Sequence, residues 1–311
     1  MKIGEFLQNI FSIKDYGETH HILRVFGLKI KFPKSEYAQK KKNSPVFYYK
    51  KNNIPITEVP HATGQLRDIQ MANLELLKEF DFVCKKNNLE YWIDYGSTLG
   101  AIRHKGYIPW DDDIDVGMLR DDYEKIIDVF NSQTSNKDIY AEYYRDKNSS
   151  LIIKIKHKKT EYAFVDIFPF DYCSKDVLDK DPVSKTSDIK KLCKKLKKEY
   201  KNASTEALIN AYKELRRNVL GASEDKDYVV RGLEFCGFPR NWFYAYDTIY
   251  PLKDIDFEGV TVKCPNNTDS FLTSLYGNYM AYPEKIGVGH TALITLNDSE
   301  ISKIREIINK E

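Results

Sequence analysis

The chain reads as an α/β (α+β) protein, a small mixed sheet with helices packed behind it and peripheral elaborations at both ends. Three observations predict this. Leu66–Asn87 places Leu66, Ile69, Leu74, Leu77, Phe80 and Val83 near one helical face. Asp113-Ile114-Asp115-Val116 alternates polar and apolar residues with the period of a strand, so that both acids share one face while Ile114 and Val116 enter a core. Ala163–Pro169 is an apolar run broken only by Asp166, the pattern of a buried strand. At 311 residues one large domain fits better than two independent units. We divide it into a basic arm and linker, 1–60, and a main domain, 61–311.

The arm is charged out of proportion to the whole. Residues 1–53 carry eleven Lys and Arg against four acids, a local +7 in a chain of net +2, which leaves −5 for the remainder. Ile22–Phe32 mixes apolar and basic residues and ends in strand-like alternation, which suits either a peripheral hairpin or a face resting on an anionic membrane. Pro33, Pro45, Pro55 and Pro60 mark 33–60 as a linker. After the Leu66–Asn87 helix, Tyr91–Tyr95 reads as a strand, Gly96-Ser97 as a tight turn and Thr98–Ile102 as a short helix. Further helices are expected over Asp121–Asn131, Lys175–Lys201 and Glu206–Leu220, and a strand over Leu151–Lys156.

The chemistry concentrates in residues 91–118. Asp111, Asp112, Asp113 and Asp115 within five residues repel one another, which a bound Mg²⁺ or Mn²⁺ would relieve. Asp113 and Asp115 rank first, because Asp111 and Asp112 follow Pro109 and Trp110 in what reads as the approach loop. Asp166 is a third candidate, since a lone carboxylate in a buried run is costly unless it is ligated or paired, for instance with Lys154 or Lys156. Gly96, Ser97 and Thr98 offer backbone and hydroxyl donors at a helix start, where phosphate oxygens bind, and Arg103, His104 and Lys105 add charge. An EF-hand starting at Asp111 fails, because Val116 stands where Gly is needed and Asp122 where Glu is expected.

A Gly-Ser turn, an Asp-x-Asp strand and a later third Asp resemble the nucleotidyltransferase superfamily. The strings Tyr95–His104 and Ile108–Asp115 resemble its LicD branch, to which the fukutin-type transferases are related. The likeness continues through Asp166-Ile167-Phe168-Pro169 and, more loosely, Phe257-Glu258-Gly259, Tyr276–Tyr279 and Pro283, spanning about residues 65–285. It implies that 61–311 is a LicD-like catalytic domain. The implied reaction moves phosphocholine, or another phospho-alcohol such as ethanolamine, glycerol or ribitol phosphate, from a CDP-alcohol donor to a glycan acceptor that is lipid-linked or free. Asp113, Asp115 and Asp166 are then the catalytic set, joined by Asp111 as metal ligands, and Gly96, Ser97, Thr98, Arg103 and Lys154 form the donor-binding set. A metal-dependent glycosyltransferase also uses Asp-x-Asp, and a silent nucleotide-binding scaffold retains the same motif.

Other classes fit less well. No apolar run approaches a membrane span, and Met1–Ile13 is interrupted by Glu5, Gln8 and Asn9, unlike a secretory signal, so a cytoplasmic protein is expected, peripheral at the inner face of the cell membrane if the arm binds lipid. The five cysteines are scattered without Cys-x-x-Cys spacing and read as reduced structural thiols. No nucleic-acid module accompanies the basic charge, so no nucleic acid partner is expected. The C-terminal third holds Trp242, Phe243, Tyr244, Tyr246, Tyr250, Tyr276, Tyr279 and Tyr282, candidates either for an aromatic cage around a quaternary ammonium or for ordinary packing.

Overall fold

The computed structural model describes the backbone of residues 11–16, 20–25, 28–33, 45–178, 182–220, 226–235, 243–283 and 295–309. The arm contributes an antiparallel three-stranded meander of β1 (Phe11–Tyr16), β2 (His20–Val25) and β3 (Leu28–Pro33). Within the expected linker, Pro45–Lys51 is helical, and residues 34–44 lie outside the described residues.

The main sheet is built on β8 (Thr160–Cys173), a strand of fourteen residues. Its first half pairs antiparallel with β7 (Leu151–His157), itself paired to β6 (Ile139–Arg145). Its last residues pair along that same edge with β9 (Tyr228–Arg231), which carries β10 (Phe243–Ala245). The opposite edge takes β5 (Asp115–Leu119) in parallel, and β4 (Trp92–Ile93) closes that side. A separate hairpin joins β11 (Lys253–Phe257) to β12 (Val260–Cys264).

Period-two alternation sorts the residues onto two faces. Val116 and Met118 of β5, Ile153 and Ile155 of β7, and Val165 and Ile167 of β8 join one core with α1 (Gly64–Lys86) and α6 (Asp298–Asn309). The opposite face carries Phe168 and Phe170 against Trp92, Tyr95 and Leu99, the latter two on α2 (Tyr95–His104). Gly117 lies on this second face because Trp92 crosses the strand there; a Cβ at 117 would stand 2.6 Å from the indole and 2.8 Å from Phe170. A third core packs α4 (Pro182–Glu199) and α5 (Thr205–Leu220) through Ile189, Cys193, Leu208 and Tyr212 beside Cys173 and Val230.

Three expectations shift in detail. The helix expected over Asp121–Asn131 is two pieces, Arg120–Tyr123 and α3 (Ile126–Gln133), and the lysine-rich one is likewise divided, with a separate turn at Lys175–Leu178. Gly96 and Ser97 are not a turn before a helix but the first turn of α2, since Asp94 caps that helix by accepting the Tyr95 N–H at 2.8 Å. Cys84, Cys173, Cys193 and Cys264 are buried, and Cys236 lies outside the described residues.

Candidate active site

Parallel pairing sets Asp115 directly beside Asp166 in the register of β5 and β8. The Asp166 N–H donates to the Ile114 carbonyl at 2.8 Å, so pairing extends one residue upstream of β5 and holds Asp113 on the same side. Ile114 and Val116 are fully buried in the helix-covered core, as the alternation requires. Asp111, Asp112 and Asp113 precede the strand as a loop, and their carboxylate oxygens lie within 4.8 Å of one another. Asp112, not ranked among the ligands from sequence, is buried there. Burial pushes the Asp115 carboxyl well above the ordinary range, and the charges of Asp113, Asp166, Asp94 and Asp111 push it further. Crowded hard oxygen donors that resist shared ionisation fit a divalent cation such as Mg²⁺ or Mn²⁺.

Antiparallel register brings Lys154 opposite Asp166, and its ammonium lies 2.7 Å from Asp166 Oδ1. The same ammonium sits over the Phe164 ring, 3.7 Å from its centroid. Lys154 is thus a fixed cation at the edge of the acid cluster. Asp166 is paired with Lys154, as the structural alternative expected, while standing beside Asp115.

Buried polar groups brace this cluster from outside it. On α1, Gln70 donates to the Asp111 carbonyl at 2.8 Å, and Asn73 donates to the Asp112 carbonyl at 2.8 Å while accepting the Phe164 N–H at 2.9 Å. Ser97 Oγ accepts the Asp115 N–H at 2.9 Å, and the Asp94 N–H donates to the Asp115 carbonyl at 2.8 Å, so both backbone groups of Asp115 are tied to the start of α2. Thr98 spends its hydroxyl on the Ile93 carbonyl at 2.6 Å. Gly96 is where Asp111 passes, for a Cβ would stand 2.6 Å from Asp111 Oδ2.

Two ion pairs complete the frame. Arg231 at the end of β9 clamps the capping Asp94 through bonds of 2.5 and 3.1 Å, its guanidinium 3.8 Å from the Tyr95 ring centroid. At the tip of the β11–β12 hairpin, Glu258 pairs with Arg67 at 3.0 and 2.7 Å and accepts the Tyr107 N–H at 3.1 Å, fixing the loop that leads into the acids. Burial pushes the Glu258 carboxyl up, but Arg67 and the Tyr107 amide outweigh it and hold it below its usual range.

Arg103 ends α2 buried beside Trp110, 5.7 Å from that ring, and donates to His104 Nε2 and to the Tyr279 carbonyl, both at 2.9 Å. Burial lowers its pKa to about 10. Burial, reinforced by Arg103 and His61, lowers His104 to about 3, so His104 is neutral and free to accept. The aromatic residues mostly pack. Tyr246 stacks on Tyr250 at 5.2 Å, Tyr244 meets Phe271 at 4.8 Å, and Tyr279 donates to Asp269 at 2.7 Å. Trp242 is outside the described residues.

Gln70, Asn73, Arg231 and Glu258 were not singled out as site residues from sequence. Their signal was nonetheless present. Gln70 and Asn73 are polar residues inside the apolar stripe of α1, and Arg231 is a lone charge ending an apolar strand, the same anomaly that marked Asp166.

Residues 88–201 match the family model described as LicD/FKTN/FKRP, nucleotidyltransferase domain. The lipopolysaccharide cholinephosphotransferase LicD of Haemophilus influenzae is 29% identical over 247 residues, covering 70% of this chain and 92% of that protein. An uncharacterized protein of Rickettsia prowazekii is 35% identical over 97 residues, 30% of this chain and 36% of that one. The human ribitol 5-phosphate transferase FKRP is 27% identical over 100 residues, which cover 32% of this chain and 20% of FKRP.

Proposed function

We propose that this chain, whose residues 88–201 match the LicD/FKTN/FKRP nucleotidyltransferase domain and which is similar to the cholinephosphotransferase LicD over most of that protein's length, transfers a phospho-alcohol, foremost phosphocholine from CDP-choline, to a hydroxyl of a cell-surface glycan. The observation that carries this reading is the pairing of Asp115 with Asp166 beside the converging Asp111, Asp112 and Asp113. These acids would hold Mg²⁺ or Mn²⁺, which when bound supplies positive charge to the donor pyrophosphate and acidity to the attacking hydroxyl.

The chain's own groups do the remainder. The acceptor oxygen attacks the phosphorus that bears the alcohol, the bond from that phosphorus to the CMP oxygen breaks, and Asp166 takes the hydroxyl proton. Arg103, Lys154 and the start of α2 at Gly96 and Ser97 orient the phosphates, while Thr98, expected from sequence to join them, has its hydroxyl and its N–H engaged within the fold. The basic arm brings the enzyme to the anionic inner face of a membrane, where a lipid-linked acceptor is presented. Among the described residues, no helix is long and apolar enough to cross a membrane.

CDP-choline, CDP-ethanolamine, CDP-glycerol and CDP-ribitol, compared by kcat/KM for CMP release with one acceptor, test the assignment. A preference for choline is expected. Preference for a polyol donor would replace choline and keep the chemistry, and no CMP from any donor would end the transfer reading.

A further inference from the structure

A cavity of about 210 Å³ opens where β5 ends, between the Arg120–Tyr123 turn and α5. It is remote from the acids. Arg120 follows the last residue of β5, and at roughly 3.3 Å per residue it lies about 16 Å along the strand from Asp115. The volume falls short of the about 300–1,000 Å³ usual for drug-sized or cofactor sites, so a nucleotide is too large and a single small ring fits.

The charges around the cavity alternate. Arg120 donates to Asp171 twice at 2.8 Å and to Glu234 at 2.9 and 3.1 Å. Arg216 donates to Glu124 at 3.2 Å and stands 3.7 Å from Asp171. The lining holds Arg120, Lys213 and Arg216 against Glu124 and Glu234, and Asp171, which pairs with both arginines from outside the lining, brings the cluster to three cations and three acids with no net charge. A strongly anionic or cationic ligand meets repulsion from one set or the other, whereas a neutral ligand bearing several hydroxyls can donate to the carboxylates and accept from the cations and the Asn210 amide. Tyr143, half-buried, adds an aromatic wall. Tyr123 also lines the cavity, and its buried hydroxyl has no hydrogen-bond partner among the described residues.

We propose that this cavity binds a neutral sugar ring, a unit of the glycan acceptor set back from the hydroxyl that reacts. The inference deepens the transfer reading and rests on it for assigning the sugar to the acceptor. The remote ring holds the acceptor chain while the reacting end lies at Asp115 and Asp166, so binding energy collected far from the chemistry serves orientation.

The test is saturation-transfer NMR on the full chain with methyl β-glycosides of glucose, galactose and N-acetylglucosamine, without donor or divalent cation, so that failure of transfer cannot affect it. At least one glycoside should bind, with protein signals shifting at Tyr123 and Tyr143. Asn210→Trp, on an exposed position, should block the mouth and abolish binding. Asn210→Ala removes only the exposed lining amide; it should weaken binding by about fivefold, the worth of one hydrogen bond. Glycerol and inorganic phosphate separate a sugar site from a general polyol or anion site. The proposal is overturned if no glycoside binds, if both variants bind like the parent chain, or if glycerol or phosphate binds as well as the sugars.

Discussion

Replacing Arg231 by methionine should destabilise the protein by about 3–5 kcal/mol, the cost of stranding a buried charge. Asp94 is fully buried and Arg231 nearly so, and the pair is bidentate, so the variant leaves a carboxylate with neither water nor a counter-charge. Methionine has comparable reach and still packs on Tyr95 and Phe170, which isolates the electrostatic loss from the packing loss. The double variant Arg231→Met/Asp94→Asn removes the stranded charge and keeps a side-chain oxygen for the Tyr95 N–H. Its cost should therefore fall to about 1–2 kcal/mol. Guanidinium denaturation at neutral pH, followed by far-ultraviolet circular dichroism, measures both, and equal slopes would show that the denatured state is unchanged. A single variant within about 1 kcal/mol of the parent, or a double variant as damaged as the single, would refute the reasoning, because a buried unpaired carboxylate cannot be that cheap. Activity should fall further than stability explains, since Asp94 also holds the Asp115 carbonyl.

Asp113→Asn or Asp115→Asn should leave the fold intact and remove nearly all turnover together with Mn²⁺ affinity; a folded double variant with parental turnover would overturn the acid assignment. Glu258→Gln should be less stable than the parent at neutral pH and equal to it in acid. The Glu258 carboxyl is held below its usual range, so its stabilisation is complete above about pH 4.5, the unfolded value, and disappears as the pH falls through the lower folded value. Paired melting curves across pH check this, and a difference that persists in strong acid would contradict it. Removal of residues 1–44 should reduce binding to anionic vesicles at low salt while sparing CMP release with a soluble acceptor, and equal vesicle binding by both forms would discard the membrane role.

The acids were legible because carboxylates placed in apolar surroundings violate burial preferences, and the alternation at 113–116 fixed which face they share. The strand at Ala163–Pro169 and the long helix α1 were legible for the same reason, sustained periodicity. The partners of those acids were not. Whether Lys154 or Lys156 meets Asp166 depends on the register of β7 against β8, a pairing that no local pattern encodes. The Gly96-Ser97 segment was misread because Asp94, sitting in an apolar run, reads as part of a strand until its capping bond is seen. The aromatic C-terminal third shows the converse. Its composition allowed either a cage or ordinary packing, and stacking and hydroxyl bonds give most of these rings packing work.

The braces around the acids come from both sides of the segment that matches the family model. Gln70 and Asn73 precede residue 88, and Arg231 and Glu258 follow residue 201. A fragment cut to the recognisable segment would keep every carboxylate and lose the groups that hold them in place, with Asp94 unpaired and the Asp111 and Asp112 carbonyls unanchored. The unit that can be excised, grafted or permuted is therefore larger than the segment the family model matches, and a minimal expression boundary for this protein lies outside residues 64–264, beyond both α1 and the β11–β12 hairpin.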